Sequence, residues 1–167
     1  MDERLNLLFK RRSIRNFTGQ PITDADLRSL LEAGMAAPSA SNRRPWHFVV
    51  TRDPKDLEAL SQRHPYAKML PKASVAIAVC GDPAISSWWV QDCSAATENI
   101  LVAAAGLGLG GVWLGCHGAP EREKAIRGVL GIPSNIGVLS LLAIGVPAKE
   151  REARTQYDPE RIHTGRW

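Results

Sequence analysis

A largely apolar stretch without charges, ASVAIAVC from Ala73 to Cys80, constrains the fold of this chain more than any other feature. Its length and its β-branched residues predict a strand, and no charged residue marks a side that faces solvent. Such a strand must be covered on both faces, so the sequence predicts a sheet with helices packed against it. The expected fold class is therefore α/β or α+β, arranged as a layered sandwich.

Four strands and five helices are predicted along the chain, in the order α-α-β-α-β-α-β-α-β. Thr23, followed three residues later by Asp26, predicts a capping box at the start of one helix. Asp53 as N-cap and Pro54 as the first helical residue predict the start of another helix. The longest helix is apolar around most of its circumference, which predicts burial in the core or at a subunit contact. The helices are expected at residues 2–12, 23–34, 53–64, 91–107 and 120–130, and the other strands at 47–51, 110–116 and 137–147.

The end of the chain differs in composition from the rest. After Pro147 the only large apolar side chains are Tyr157, Ile162 and Trp167, and a segment this polar cannot fold alone. We expect residues 1–167 to form one domain, because a chain of this length can build one sizeable core and no linker interrupts it. We expect the tail, residues 147–167, to pack against this core or against a partner subunit.

Composition and charge exclude several classes of protein. The chain has 21 Lys and Arg against 17 Asp and Glu, and this mild net charge of +4 does not suggest a dedicated nucleic-acid binder. No apolar run approaches the ~18 residues of a membrane span, and the start lacks a signal-peptide pattern. Cys80, Cys93 and Cys116 are odd in number and widely separated, which argues against disulfides and a metal site. We expect a reduced, cytoplasmic, soluble protein that binds neither metal nor membrane.

The glycine-rich stretch GLGLGG, residues 106–111, matches the spelling of the dinucleotide-binding fingerprint but not its structural context. That fingerprint requires glycines that follow a strand and open a helix. Here a long predicted helix ends at the glycines and a strand begins. We therefore predict a glycine helix cap and a tight helix–strand turn instead.

Four cations lie within six residues in KRRSIR, at Lys10, Arg11, Arg12 and Arg15. Cations near a helix C-terminus stabilise the helix dipole, and exposed cations need no function. Three guanidinium groups and the hydroxyl of Ser13 can also bind a single phosphate monoester. The cluster alone supports these two interpretations equally, whereas a nucleic-acid contact ranks below both because the cluster is short.

No set of side chains predicts acid–base or nucleophilic catalysis. The four histidines, His47, His64, His117 and His163, lack metal-ligand spacing. Cys116 and His117 are adjacent on a predicted strand, so their side chains point to opposite faces and cannot form a nucleophile pair. If the chain is an enzyme, a bound cofactor is expected to carry the chemistry.

Three further stretches accompany the basic cluster: PSASNRRPW from Pro38, the segment from Trp89 to Gly115, and the arginine-bearing tail. Together and in this order they resemble the nitroreductase family of flavin mononucleotide (FMN) enzymes, over about residues 5–167. The resemblance implies an α+β three-layer sandwich with a mixed, mainly antiparallel sheet flanked by helices. It also implies an intertwined homodimer with FMN at the subunit interface.

The resemblance implies which residues hold the phosphate and the ribityl chain of FMN. They are Arg11, Arg12, Ser13 and Arg15, completed by one C-terminal arginine, Arg154 or in its place Arg151 or Arg166.

It further implies two groups of residues around the isoalloxazine ring. Pro38, Ser39 and Asn42 of the other subunit would touch the ring, and Trp113, Leu114 and Gly115 would line its other edge through the backbone. One departure from the family pattern is Arg44, which stands where many members carry glutamine. Arg44 either tunes the flavin or faces solvent.

The activity that the resemblance implies is FMN-dependent oxidation of NADH or NADPH. A hydride would pass to flavin N5, and a small acceptor such as a nitroaromatic or quinone would then take the electrons in a ping-pong mechanism, without catalytic side chains. The alternatives are a flavin-binding storage or sensing protein without turnover, and a flavin-dependent dehalogenase or dehydrogenase of the same fold. The physiological acceptor and the preference for NADH or NADPH stay open.

Overall fold

A four-stranded sheet forms the centre of the computed structural model, which describes residues 2–167. The strands are β1 (Trp46–Thr51), β2 (Val75–Gly81), β3 (Gly110–Gly115) and β4 (Gly137–Gly145). Their order across the sheet is β1-β2-β4-β3, and each neighbouring pair is antiparallel. The central strand β2 is buried along its whole length, as expected of a strand that is covered on both faces.

Five α-helices surround the sheet, and their order along the chain agrees with the prediction. They are α1 (Asn6–Lys10), α2 (Asp24–Met35), α3 (Pro54–Arg63), α4 (Trp89–Gly106) and α5 (Pro120–Leu130). Short 3-10 turns occupy Glu3–Leu5, Ala40–Asn42, Leu70–Lys72 and Pro159–Arg161. No helix within residues 2–167 has the length and apolar character needed to cross a membrane.

Two hydrophobic cores lie on opposite faces of the sheet and define three layers. On one face Ala78 of β2 packs with Leu60 of α3 and Ile126 of α5. On the other face Ile77 belongs to the core that includes Ile100 of α4 and residues of α2. Each fully buried Leu or Ile side chain stabilises the fold by roughly 1.5–3 kcal/mol. Because helices cover both faces of the sheet, the predicted sandwich is confirmed.

The predicted helix ends are confirmed where capping residues mark them. The Asp26 amide donates to Thr23 Oγ1 at 3.0 Å and the Thr23 amide donates to Asp26 Oδ2 at 3.3 Å, which completes the capping box of α2. Asp53 caps α3 by accepting from the Lys55 amide. Gly131 ends α5 with a φ of 65°, a left-handed conformation that glycine adopts without strain.

The glycine-rich stretch forms the predicted helix–strand turn. Helix α4 ends at Gly106, Gly108 has a φ of 72°, and β3 begins at Gly110. Because the glycines follow a helix and precede a strand, their amides do not open a helix toward a ligand. The dinucleotide fingerprint is therefore absent, as predicted.

The first helix is shorter than the predicted span of residues 2–12. A 3-10 turn at Glu3–Leu5 leads into α1, and Arg11 is already extended with a ψ of 120°. The chain leaves the helix here because the segment that follows pairs with β3. None of the residues of α1 is fully buried: Phe9 is half-buried, and Leu8 keeps 55% of its surface exposed.

A segment that we call the strap, residues 11–17, connects α1 to the sheet. Ser13 forms a parallel bridge with Gly111, and Phe17 forms an antiparallel bridge with Pro147. The bridge at Ser13 is the only parallel pairing within residues 2–167, so the mixed character expected of the sheet is confined to it. The tail runs back along the strap: Ala148 donates to the Asn16 carbonyl and Arg154 donates to the Phe9 carbonyl.

Candidate functional site

The strap places its three arginines next to different neighbours. The Ile14 amide donates to the Gly111 carbonyl at 2.9 Å and fixes the strap beside β3. Arg11 Nε lies 2.9 Å from Glu98 Oε1 on α4, so a carboxylate already compensates this cation. Arg11 therefore stays with α4, whereas Arg12 and Arg15 face two separate grooves.

Arg12 lies in a concentration of positive charge formed with the tail. Its Nη1 donates to the Glu152 carbonyl at 2.5 Å. Desolvation lowers the pKa of Arg12 from its ordinary value, and the nearby charges of Arg154 and Arg151 lower it further. Because an arginine stays protonated in proteins, this repulsion makes the position favourable for an anion. The structure thus brings together Arg12, Arg151 and Arg154.

A cleft of about 280 Å³ opens beside Arg12. Its walls come from the strap, the end of α4 and the tail, and its charged lining residues are Lys10, Arg12, Lys149, Glu150 and Arg151. Four cations against one carboxylate give the cleft a positive potential, which attracts anions. Of the three candidate tail arginines, Arg151 lines the cleft, and the charges of Arg151 and Arg154 both act on Arg12, whereas that of Arg166 does not.

Arg15 opens into a second groove of about 310 Å³, which two lysines share. Lys68 and Lys72 line this groove together with Arg15, and no carboxylate lines it. The sequence analysis did not select these lysines. Their only signal in the sequence is their spacing of four residues just before the buried strand β2, and that signal is weak.

The loop between α2 and β1, residues 38–44, is held in a strained conformation. Ser41, Asn42 and Arg44 have φ values of 50°, 53° and 49°, a region that costs a residue with a side chain about 1 kcal/mol or more. The Arg44 amide donates to Ser39 Oγ at 2.9 Å and closes the loop on itself. Strain of this kind persists where the surrounding structure imposes it, often at ligand sites.

Asp92 of α4 anchors the same loop from inside the protein. Its Oδ1 accepts from the Ala40 amide at 2.8 Å, and its Oδ2 accepts from the Ser86 hydroxyl at 2.8 Å. Asp92 is buried, and hydrogen bonds to a buried carboxylate are stronger than bonds between neutral groups. The carboxylate therefore fixes the loop that carries Pro38, Ser39 and Asn42.

Arg44 is exposed in this loop and turns back on it. Its Nε lies 3.3 Å from the Asn42 carbonyl, so within one chain Arg44 faces solvent. The neighbouring Arg43 donates from Nη1 to the Ile85 carbonyl at 3.3 Å.

The end of β3 exposes backbone rather than side chains. Trp113 is half-buried and Leu114 is buried, whereas Gly115 is exposed. A Cβ atom built on Gly115 would meet no atom within 4 Å, and no left-handed φ is recorded for it. Nothing within the chain therefore requires glycine here, and a molecule that approaches the backbone closely would account for it.

The strap and the 38–44 loop attach to different sides of α4. The strap is bound at Glu98 and the loop at Asp92. Six helical residues separate these positions by about 9 Å along the axis and about 120° around it. Pro38, Ser39 and Asn42 are therefore held at a different part of α4 from the strap, whereas Trp113, Leu114 and Gly115 lie on β3, the strand beside which the strap is bound.

Cysteine side chains take no part in a nucleophilic site. Cys80, Cys93 and Cys116 are buried, and burial raises the pKa of each thiol to about 12. A thiol with such a pKa is protonated and unreactive at neutral pH. No group of three His, Cys, Asp or Glu side chains within residues 2–167 is arranged to hold a metal ion.

Comparison with known proteins identifies the family. The sequence model described as "Nitroreductase family" matches residues 8–73 and 58–146. A protein of Archaeoglobus fulgidus, provisionally named an NADH dehydrogenase/NAD(P)H nitroreductase, is 49% identical over 174 residues, which cover 100% of both chains.

Solved structures agree with the sequence comparison. A crystal structure from Parabacteroides distasonis, with the same provisional name, has a TM-score of 0.96 and 36% identity, and the match covers 100% of both chains. The structure of an FMN-dependent nitroreductase from Clostridium difficile has a TM-score of 0.92 and 30% identity, covering 98% of this chain and 99% of that one. The layered fold, the strap and the strained loop thus occur in a chain that belongs to the nitroreductase family.

Proposed function

We propose that this chain is an FMN-dependent NAD(P)H oxidoreductase that works as a homodimer. When bound, FMN supplies the redox chemistry: it takes a hydride from NADH or NADPH at N5 and passes electrons to a small acceptor, such as a nitroaromatic or quinone, in a ping-pong cycle. Membership of the nitroreductase family supports the enzyme class and the cofactor, since a similar structure is named an FMN-dependent nitroreductase. The ping-pong order and the acceptor class are our inference.

The observation that carries this proposal is the positive cleft beside Arg12. The charges of Arg151 and Arg154 both repel Arg12, and only one carboxylate lines the cleft. A phosphate monoester would relieve this repulsion and would accept charge-assisted hydrogen bonds from the guanidinium groups. Arg11 and Ser13 flank Arg12 on the strap, so the ribityl chain would follow the strap toward the sheet, whereas Arg15 opens into its own groove and would act on the cofactor from there.

The exposed backbone of Gly115 fits the flat ring of the cofactor. The open space beside its Cα allows a planar group to approach the strand closely, and Trp113 and Leu114 position this end of β3. The role of these residues is to bind and orient the ring and to exclude water from one edge.

A second subunit would complete the site. The 38–44 loop and the strap lie on different sides of α4, so Pro38, Ser39 and Asn42 would come from the partner subunit. Two apolar surfaces support the association: Leu8 of α1 is 55% exposed and Trp88 before α4 is 58% exposed. Leu5 and Leu7 are exposed as well, so the N-terminal turns carry several exposed apolar side chains, and an apolar patch of this kind is typical of contacts between proteins.

The absorption spectrum of the purified protein tests the proposal directly. Oxidised flavin should give bands near roughly 370 and 450 nm. Anaerobic addition of NADH or NADPH should bleach these bands, and a nitroaromatic or quinone should restore them. A colourless protein that takes up no added FMN would refute the proposal, and flavin bands that neither nucleotide bleaches would indicate a storage or sensing protein instead.

A further inference from the structure

His64 is a fully buried histidine that the proposed cofactor site does not include. It follows α3 and connects two segments that are far apart in the sequence. Its Nε2 lies 3.1 Å from the carbonyl oxygen of Gly115, and its Nδ1 accepts from the Tyr66 amide at 3.2 Å. Both ring nitrogens thus have partners inside the protein.

The two partners fix the protonation of the ring. Because the Tyr66 amide donates to Nδ1, the single proton of the neutral ring must lie on Nε2, where it donates to the Gly115 carbonyl. Desolvation lowers the pKa of His64, and the charge of Arg122 lowers it further against the opposing effect of the Gly115 hydrogen bond. The neutral ring with its proton on Nε2 is therefore the form present near neutral pH.

The peptide group after Gly115 is held at both of its ends. Its carbonyl accepts from His64 and, at 3.4 Å, from Arg122 Nη1. Its amide, that of Cys116, donates to the Leu139 carbonyl at 3.0 Å. On the opposite side Gly115 faces open space. Without these hydrogen bonds, the glycine would make this end of β3 the most flexible part of the strand.

We propose that His64 is a positioning residue of the flavin site. Its hydrogen bond fixes the Gly115 peptide so that the exposed backbone at the end of β3 meets the edge of the isoalloxazine ring in one orientation. This inference rests on the proposed function, because it places the ring beside Gly115. His64 does not touch the flavin; it acts through the peptide group that does.

Two substitutions separate the two hydrogen bonds of His64. In His64→Gln the amide nitrogen stands as many bonds from Cα as Nε2 does, so the donor to Gly115 is kept and the acceptor for Tyr66 is lost. In His64→Asn the short side chain can still accept from the amide two residues on, but it cannot reach Gly115. The two variants are thus matched controls, because each loses one buried hydrogen bond.

The measurements are FMN affinity and the rate of flavin reduction by NADH or NADPH at saturating FMN. We expect His64→Asn to bind FMN at least about fivefold more weakly, the effect of losing roughly one hydrogen bond, and to be reduced at least fivefold more slowly. His64→Gln should stay within about twofold of wild type in both. The thermal unfolding temperature should fall by similar amounts in the two variants, because each loses one buried hydrogen bond. Equal FMN affinities and reduction rates in the two variants would overturn the inference.

Nuclear magnetic resonance of the wild-type protein keeps the inference testable if either variant fails to fold. The ¹H–¹⁵N signal of Gly115 should shift when FMN is added, and the His64 ring should carry its proton on Nε2 before and after. A Gly115 signal that does not move while FMN binds would overturn the inference but leave the proposed function intact. A wild-type protein that binds no FMN would overturn both.

Discussion

Arg12 differs from the other arginines of the strap in lying beside arginines of the tail. Arg11 is compensated by Glu98, and Arg15 shares its groove with two lysines. Arg12 donates to the Glu152 carbonyl, and the charges of Arg154, Arg151 and Arg11 near it outnumber the single nearby carboxylate, that of Glu152. An isolated salt bridge at the surface contributes little, so the distinguishing property of Arg12 is this local excess of positive charge, which predisposes it to bind an anion rather than to stabilise the fold.

Substitution of this residue makes the first prediction. Arg12→Ala should weaken FMN binding by about tenfold or more, because a charge-assisted contact to the phosphate is lost. Its thermal unfolding temperature should not fall, since one source of repulsion is removed. Fluorescence titration of FMN measures the affinity. Arg28→Ala is the matched control, since Arg28 pairs with Glu32 on the surface of α2, and it should leave FMN affinity unchanged; equal affinities in the two variants would contradict the assignment.

At the scale of elements, the 38–44 loop combines strain with a firm anchor. Three of its residues have left-handed backbone conformations, and Asp92 holds the loop from the interior. Such a loop is more rigid than its polar composition suggests, so it can present side chains to a ring without losing much conformational entropy on binding.

A pair of glycine substitutions separates strain from function in this loop. Ser41→Gly and Asn42→Gly should each change the free energy of unfolding by no more than about 1 kcal/mol, because glycine relieves a left-handed conformation but loses more entropy on folding. Only Asn42→Gly should weaken FMN binding, because Asn42 is the predicted contact. Chemical denaturation and FMN titration measure the two effects. A loss of FMN affinity in Ser41→Gly of the same size would contradict the assigned contact.

The sequence correctly predicted those elements whose ends or burial depend on residues nearby in the sequence. The capping box at Thr23 and Asp26 and the buried strand β2 follow from local patterns, and the structure confirms both. The prediction was wrong for the length of the first helix, because the pairing of Ser13 with Gly111 ends helical structure earlier. A contact between residues so far apart in the chain leaves no periodic signal near residue 11.

For the candidate site, the roles assigned from the sequence stay predictions. Residues in recognisable motifs, such as Arg12 and Gly115, were selected by their resemblance to a family. Lys68, Lys72 and His64 were not, because the groups they face are distant in sequence and become neighbours only when the sheet forms. A buried histidine looks ordinary until its acceptor is known.

For the whole molecule, the apolar residues left exposed by one chain are its most informative feature. Leu5 and Leu8 near the N-terminus, Trp88 before α4 and Trp167 at the end of the tail remain accessible. Such groups are expected to be buried when two chains associate. The proposed dimer would therefore cover α1 and the outer part of the tail.

A charge placed in α1 tests this association. The wild-type protein should have twice the mass of the 18.2 kDa chain in light scattering coupled to gel filtration. Leu8→Glu should shift the equilibrium toward the monomer, because a charge would be desolvated in the interface, and FMN affinity should fall with it. Lys124→Glu, on α5 across the sheet, is the control. A Leu8→Glu variant that remains fully dimeric would show that α1 lies outside the interface.

The attachment of the strap and the 38–44 loop to different sides of α4 has a consequence for genetics. In a dimer, each site would take its anion-binding arm from one chain and its ring-binding loop from the other. Arg12→Ala and Asp92→Ala homodimers should both be deficient in FMN-dependent activity. When the two alleles are co-expressed, one site of each mixed dimer carries both defects and the other carries neither. Two inactive genes should therefore complement each other, which a chain that builds its whole site alone could not do.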